Sequence, residues 1–227
     1  MEHEPTEAVA GVSRTAERRM RLHFSPGACS RVTLIALEEA DAEYMVNLVS
    51  LKNGDQRKPA FRALNPKGKV PVLETPEGIL TENVAILTYL SRRYPHAQLL
   101  PTEDDWEHAK ALSTLAWFAS TIHPLLTLLR YPERFCDLPE APVRVRSLAV
   151  AQLLVQMQVA EDQLAGRSWI LGVRWSVADA YLFWSWERCE ECGFEPSRFP
   201  RLVDHHSRMM TWPAVLRALE RERARAA

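Results

Sequence analysis

The alternation of strand-like and helix-like segments stops once along this chain, and that change limits the folds open to it. Up to Tyr94 the two kinds alternate; beyond Asp104 every periodic segment is helical. Arg21–Phe24 reads as a strand, Arg31–Ala40 as an amphipathic helix and Tyr44–Val49 as a second strand. A polar loop from Lys52 to Lys58 and a helical turn at Phe61–Leu64 lead to Asn65-Pro66. Val70–Glu74 and Ile79–Leu80 then flank Thr75-Pro76-Glu77-Gly78, a turn signal between two hairpin strands. Glu82–Tyr94 follows as a helix, with Val84, Leu87, Leu90 and Tyr94 on one stripe and Pro95 ending it. The order is βαβ, a connection, then ββα: an α/β unit around one small sheet.

The second part is all-α. Helices are expected over Trp106–Ile122, Pro142–Ala165, Ala180–Cys192, Arg201–Met210 and Ala214–Ala224. Pro142 suits a first helical turn and Gly166 a stop. Ser176-Val177-Ala178-Asp179 has the form of a capping box, with Asp in the position usually held by Glu or Gln. The boundary falls in Gln98–Asp104, a short linker containing Pro101. The division is therefore a polar, disordered tail at 1–19, an α/β domain at 20–98 and an all-helical domain at 104–227. With 227 residues, 47% of them hydrophobic, the chain can fill two small cores. The tail is equally compatible with an upstream start codon.

Charge and cysteine usage narrow the function classes. A formal net charge of -1 offers no general attraction for nucleic acid or a membrane surface. The run Arg217–Arg225, interrupted by Glu220 and Glu222, reads as a solvated helix face. No stretch is expected to approach the ~18 apolar residues of a membrane span. The polar N-terminus does not resemble a secretory signal, so a cytoplasmic location is expected. There, the four cysteines Cys29, Cys136, Cys189 and Cys192 are expected to be free thiols. Cys189-Glu190-Glu191-Cys192 ends a helix rather than beginning one, which disfavours redox use. A zinc site would need His205 and His206 as well, and no metal is expected.

Three places can carry chemistry. Cys29, in Phe24-Ser25-Pro26-Gly27-Ala28-Cys29-Ser30, joins the first strand to the first helix. A helix N-terminus favours the thiolate, so a lowered pKa is expected there. Val70-Pro71 precedes a strand. It is either a cis bond that turns the Val70 backbone toward an open site or a trans proline beginning an edge strand. Thr81-Glu82-Asn83 starts the next helix. Asn83 can cap it or leave free N–H groups for a bound carboxylate, and Glu82 can hold an ammonium group.

These segments, PGACS, NPKGKVPVL and LTENVAIL followed by Tyr89-Leu90, resemble the glutathione-binding half of cytosolic glutathione transferases. Cys29 together with Ser176-Val-Ala-Asp-Ala-Tyr-Leu-Phe183 resembles the bacterial beta class. The resemblance runs from Met20 to the C-terminus and weakens between Arg130 and Pro142 and after Cys189. It implies a thioredoxin-like N-terminal domain, an all-helical C-terminal domain, glutathione as co-substrate, a small hydrophobic electrophile and a homodimer. It implies that Cys29 and His123 are catalytic and face the glutathione sulfur. Val70, before Pro71, would pair with the glutathione backbone, with Lys69 beside it. Glu82 and Asn83 would hold the γ-glutamyl end, and Lys52 the glycine carboxylate. Ser25, Trp106 and Trp117 are candidates for the acceptor pocket, within an apolar wall that also takes in Phe118, Leu125 and Trp175.

Three departures stand out. Phe24 occupies a position where many family members carry a tyrosine, which removes that hydroxyl donor. Asn83 replaces the commoner serine or glycine. Pro124 directly follows His123 and should disfavour helical geometry there. The expected activity is conjugation of glutathione to electrophiles, with thiol exchange through a mixed disulfide at Cys29 as a companion. The alternatives are a glutathione-dependent isomerase or dehalogenase, and a non-catalytic binding protein on the same fold.

Overall fold

The computed structural model describes residues 19–226. The expected N-terminal tail, apart from Arg19, lies outside the described residues. Four strands form one mixed sheet in the order β2-β1-β3-β4: β1 (Met20–Phe24), β2 (Tyr44–Leu48), β3 (Val72–Thr75) and β4 (Gly78–Thr81). β2 is parallel to β1; β3 is antiparallel to β1, and β4 to β3. A parallel pair needs a crossover, and α1 (Ser30–Glu39) supplies it. Central β1 encloses Leu22 and Phe24 completely, whereas edge strand β2 leaves Met45 and Leu48 exposed. α2 (Pro59–Leu64) and α3 (Asn83–Arg93) complete this α/β domain. The β3–β4 turn is closed by Thr75 Oγ1, which accepts from the Glu77 and Gly78 N–H groups, both at 3.2 Å.

The helical domain contains α4 (Asp105–Trp117), α5 (His123–Arg130), α6 (Ala141–Gln163), α7 (Val177–Glu191), α8 (Pro200–Met209) and α9 (Pro213–Ala226). Asp104 caps α4 by accepting from the Glu107 N–H at 2.8 Å. Between α4 and α5, Phe118–Ile122 forms a π-helical turn, in which His123 N–H bonds back to Phe118 C=O. Pro124 was expected to disfavour helical geometry at His123, yet His123 is helical, with φ -61° and ψ -44°. The wide π turn absorbs the misfit in place of a break. The resulting continuous helix, Asp105–Arg130, is also more apolar than expected. Its mean hydropathy over an 18-residue window reaches 1.3, enough by length and composition to cross a membrane. Here it packs Ala111, Leu115, Phe118, Ile122 and Leu129 into the helical core.

Two further expectations change. α1 is enclosed on every side from Ser30 to Glu38, rather than amphipathic, because α7 and α9 cover the side turned away from the sheet. The Arg217–Arg225 segment is accordingly not a solvated face alone. Arg217 Nε and Arg221 Nε donate to the buried Glu38 carboxylate, and Glu222, 4% exposed, accepts from Arg31 Nη2 at 2.6 Å. The capping box is present: Ser176 N–H and Oγ donate to Asp179 Oδ2 at 2.9 and 3.0 Å.

Candidate active site

Cys29 is the N-cap of α1 and lies 8% exposed at the end of β1. The turn before it is held from three sides. Ser30 Oγ donates to Ser25 C=O and accepts from Ser25 N–H at 3.2 and 3.1 Å. Trp184 Nε1 on α7 donates to Gly27 C=O at 3.0 Å, and Glu222 on α9 accepts from Gly27 N–H at 3.3 Å. Gly27 has φ +70°, a conformation that favours glycine, and a Cβ there would press on Arg188 Nη1 at 3.2 Å.

Asn83 fixes the other side of Cys29. Its Nδ2 donates to Cys29 C=O at 3.0 Å, and its Oδ1 accepts from Thr33 Oγ1 at 2.8 Å. The Asn83 side chain is therefore committed to positioning the Cys29 backbone. What α3 offers a ligand is its first turn, where the first intrahelical bond is Ile86 N–H to Glu82 C=O. Asn83, Val84 and Ala85 N–H precede that bond and have no intrahelical acceptor. Glu82 sits just before them with φ +72°, a sparsely populated conformation for a side-chain-bearing residue. Its carboxylate pairs with Lys67 Nζ, a residue given no separate role from the sequence.

The Val70-Pro71 peptide is cis. Val70 C=O lies 3.5 Å from Cys29 Sγ, which places the thiol beside the strand edge. A cavity of about 640 Å³ opens over this point. The structure brings Cys29, His123, Lys52, Lys69, Val70 and Ser25 onto its wall. Pro71, Glu82 and Asn83 are not on that wall, and neither are Trp106, Trp117, Phe118 or Leu125, which corrects the acceptor-pocket expectation. Trp106 is 71% exposed on the first turn of α4. Trp117 stacks on Phe118 at 5.1 Å, and its Nε1 donates to Gln156 at 2.7 Å. Aromatic spacing along one helix could not distinguish the wall from the far side. The pocket aromatics are instead Trp184 and Tyr131. Trp175 lines a second cavity, of about 630 Å³, which shares no residue with the first.

Electrostatics reverse one expectation. Burial pushes the Cys29 thiol up to about 12, and the Glu82 charge adds to this. The backbone hydrogen bond, Lys69 and Asn83 act the other way and lose. The helix N-terminus is present, but desolvation of a thiolate outweighs it. Cys29 is thus a neutral thiol before any ligand enters. His123 is neutral too: burial, then Lys69, lower it to about 4. Its ring stands edge-on to Trp184 at 4.8 Å.

His123 makes stability pH-dependent. Its folded pKa lies below the unfolded value of 6.5, so its contribution is present above 6.5 and is lost as pH falls through 4. Acidification over that window should remove roughly 3 kcal/mol through this group. Urea unfolding at pH 7 and pH 4.5 checks it. His123→Leu should show a clearly shallower acid loss; equal losses in both proteins would refute the assignment.

The CxxC cysteines do not make a metal centre with the nearby histidines. His205 is engaged with Asp179 at 3.0 Å and His206 stacks on Phe183 at 5.1 Å. All four cysteines are free, and among the described residues no group of three His, Cys, Asp or Glu is placed to hold a metal.

Residues 22–92 match the family model of the glutathione S-transferase N-terminal domain, and residues 125–213 that of its C-terminal domain. Over 170 residues the chain is 35% identical to glutathione S-transferase GstA of Escherichia coli O157:H7, covering 72% of this chain and 79% of that one. The chain belongs to the glutathione transferase family. A maleylacetoacetate isomerase of Pseudomonas aeruginosa is 34% identical over 176 residues, 74% of this chain and 79% of its own. A sphingomonad glutathione S-transferase, solved in complex with glutathione, superposes with a TM-score of 0.79 at 32% identity, covering 89% of this chain and 98% of that one. Within this transferase fold, the sequence motifs missed Trp184, Tyr131 and Arg188. Each lies in the helical domain, where nothing local marks a residue as facing the α/β domain.

Proposed function

We propose that the chain conjugates reduced glutathione to small electrophiles as a beta-class-like transferase, with Cys29 and His123 beside the reacting sulfur. The observation that carries this is the thiol at the α1 start, opening onto a cavity whose walls hold Lys52, Lys69 and Val70. Glutathione's cysteinyl backbone pairs with Val70 as an added strand. The free N–H groups of the α3 first turn receive the γ-glutamyl carboxylate, and Glu82 its ammonium group. Lys52 takes the glycine carboxylate. Lys69 favours glutathione's sulfur as thiolate, and Cys29, itself protonated, donates its S–H to it. The thiolate attacks the electrophilic carbon, giving a thioether as the leaving group departs with its bonding electron pair. A neutral Cys29 makes conjugation the main activity and mixed-disulfide exchange the lesser one. The same reading includes a cytoplasmic homodimer.

Calorimetric titration with reduced glutathione tests the site: saturable binding in the micromolar to low-millimolar range is expected, and no heat at millimolar glutathione would refute it. Cys29→Ala should lower kcat/KM for conjugation roughly tenfold, the worth of one hydrogen bond to a charged group, and abolish thiol transfer. If both activities survive unchanged, Cys29 has no role at the sulfur. The second reading, a glutathione-dependent isomerase, draws on the similarity to the Pseudomonas aeruginosa maleylacetoacetate isomerase. Turnover of maleyl compounds by cis-trans isomerisation, faster than any conjugation, would favour it.

A further inference from the structure

The cavity above Cys29 is cationic to an unusual degree. Lys52, Arg57 and Lys69 line it from the α/β domain, and Arg130, Arg134, Arg188 and Arg225 from the helical domain. Among the described residues that line it there is no Asp or Glu. Behind the wall Glu191 is shared: Arg130 Nη1 reaches Oε2 at 2.7 Å and Arg188 Nη2 reaches Oε1 at 2.6 Å, with Glu187 4.0 Å from Arg188. The lining itself carries only cationic side chains among its Lys, Arg, Asp and Glu residues.

Arg188 is the most informative of these. Its side chain is only 12% exposed, and its Nε is buried without a hydrogen-bond partner. Its Nη1 lies against the Gly27 turn, beside the Cys29 corner. Burial, with the neighbouring Arg31 and Arg130 charges, lowers it below the ordinary guanidinium range, against Glu191 and Glu187. Arg188 also lines the cavity, and a guanidinium so poorly hydrated is costly there unless an anion enters beside it. Beside it, Leu126, Tyr131 and Trp184 give the wall an apolar face. Arg134 lies over the Tyr131 ring at 3.7 Å and Arg130 over the same ring at 5.6 Å, which gathers both cations around this aromatic side chain.

Glutathione's carboxylates leave the arginines of the helical half without a ligand partner. In the proposed pose they go to Lys52 and to the α3 start, both on the α/β side. The arginines of α5, α7 and the segment after α5 face the second substrate.

Building on the transferase reading, we propose that the acceptor is an anionic electrophile: an apolar, preferably aromatic, body carrying a carboxylate that Arg188, with Arg130 and Arg134, holds in the helical half of the cavity. Guanidinium forks pair with carboxylates in two parallel hydrogen bonds, which orients the substrate as well as binding it. With an aryl chloride, the glutathione sulfur bonds to the carbon bearing chlorine, and chloride leaves with the carbon–chlorine electron pair. The carboxylate takes no part in that exchange and serves only as the handle.

A matched pair of probes isolates the charge: 4-chloro-3,5-dinitrobenzoate and 4-chloro-3,5-dinitrobenzamide, with neutral 1-chloro-2,4-dinitrobenzene as reference. Enzymatic kcat/KM is divided by the uncatalysed rate of each compound with glutathione. The benzoate should be preferred over the benzamide by at least about tenfold, one well-made ionic contact, and the preference should shrink in high salt. Arg188→Gln should lower the benzoate value about tenfold and leave the benzamide within about twofold. Arg134→Gln, on the surface, should act in the same direction and guards against misfolding of the first variant. Equal use of benzoate and benzamide, or a parallel loss of both in the variants, overturns the anion handle. Turnover of 1-chloro-2,4-dinitrobenzene alone also overturns it while leaving the transferase reading intact. Absence of glutathione binding by calorimetry overturns both.

Discussion

Asp179→Ala will destabilise the helical domain by about 3 to 5 kcal/mol, the cost of removing one partner from a buried charged cluster. For a chain of this size that is roughly a 10 °C fall in the thermal midpoint. Asp179 has no solvent exposure, and its two oxygens collect four contacts. Oδ2 accepts from Ser176 N–H and Ser176 Oγ; Oδ1 accepts from Ile170 N–H at 2.7 Å and lies 3.0 Å from His205 Nε2. One carboxylate thus ties the α7 start to the preceding loop and to α8. Alanine strands all four donors away from water, in a protein whose whole stability is about 5–15 kcal/mol. Asp179→Asn keeps the shape but turns one acceptor into a donor facing N–H groups, so it should fall between wild type and alanine. Chemical denaturation with a fixed m-value measures it; a loss below about 1 kcal/mol for alanine would mean the cluster is not what anchors α7.

Arg31→Met will cost a similar amount and loosen α9. Arg31 is 7% exposed and bridges two carboxylates from different helices: Nη2 and Nε reach Glu222 at 2.6 and 3.0 Å, and Nη1 pairs with Glu187. Burial works against the Arg31 charge, but Glu222 and Glu187 more than offset it, and its pKa is raised. Methionine fills the space but leaves buried Glu222 and half-buried Glu187 without the guanidinium between them, at about 3 to 5 kcal/mol. The effect reaches the site, because Glu222 also accepts from Gly27 N–H. Two readouts are expected to move together: faster proteolysis at the α8–α9 junction and weaker glutathione binding. Adding Glu222→Met should recover part of the stability. Unchanged proteolysis would show that apolar contacts alone dock α9.

Much of the fold was legible because its signals are local. The Thr75-Pro76-Glu77-Gly78 turn, the Ser176–Asp179 box and the Pro142 helix start each depend on residues within four positions of one another. The π turn before Pro124 was not legible. It is a compromise between a helix-breaking pair and the packing of Phe118 and Ile122 on both sides of it. The α/β half of the site was readable for the same reason as the turns: Cys29, Val70-Pro71 and Glu82-Asn83 all sit at element ends, where orphaned backbone groups announce themselves. The helical half was not, because Trp184, Arg188 and Tyr131 lie within or just after ordinary helical stretches. Trp106 and Trp117 looked like better pocket candidates on composition, and both face elsewhere.

By itself, the sequence determined the order of strands and helices apart from α5, several turns and caps, and the presence of a thiol at a helix start beside a proline-bound strand. Those follow from hydrogen-bonding and steric rules among near neighbours. Only the tertiary structure decided that Cys29 is neutral, that α1 is enclosed by a C-terminal helix, and that seven cationic side chains converge on one cavity. Desolvation and summed charge depend on what the rest of the chain brings within a few ångströms, and the residues responsible are separated by up to two hundred positions in the sequence.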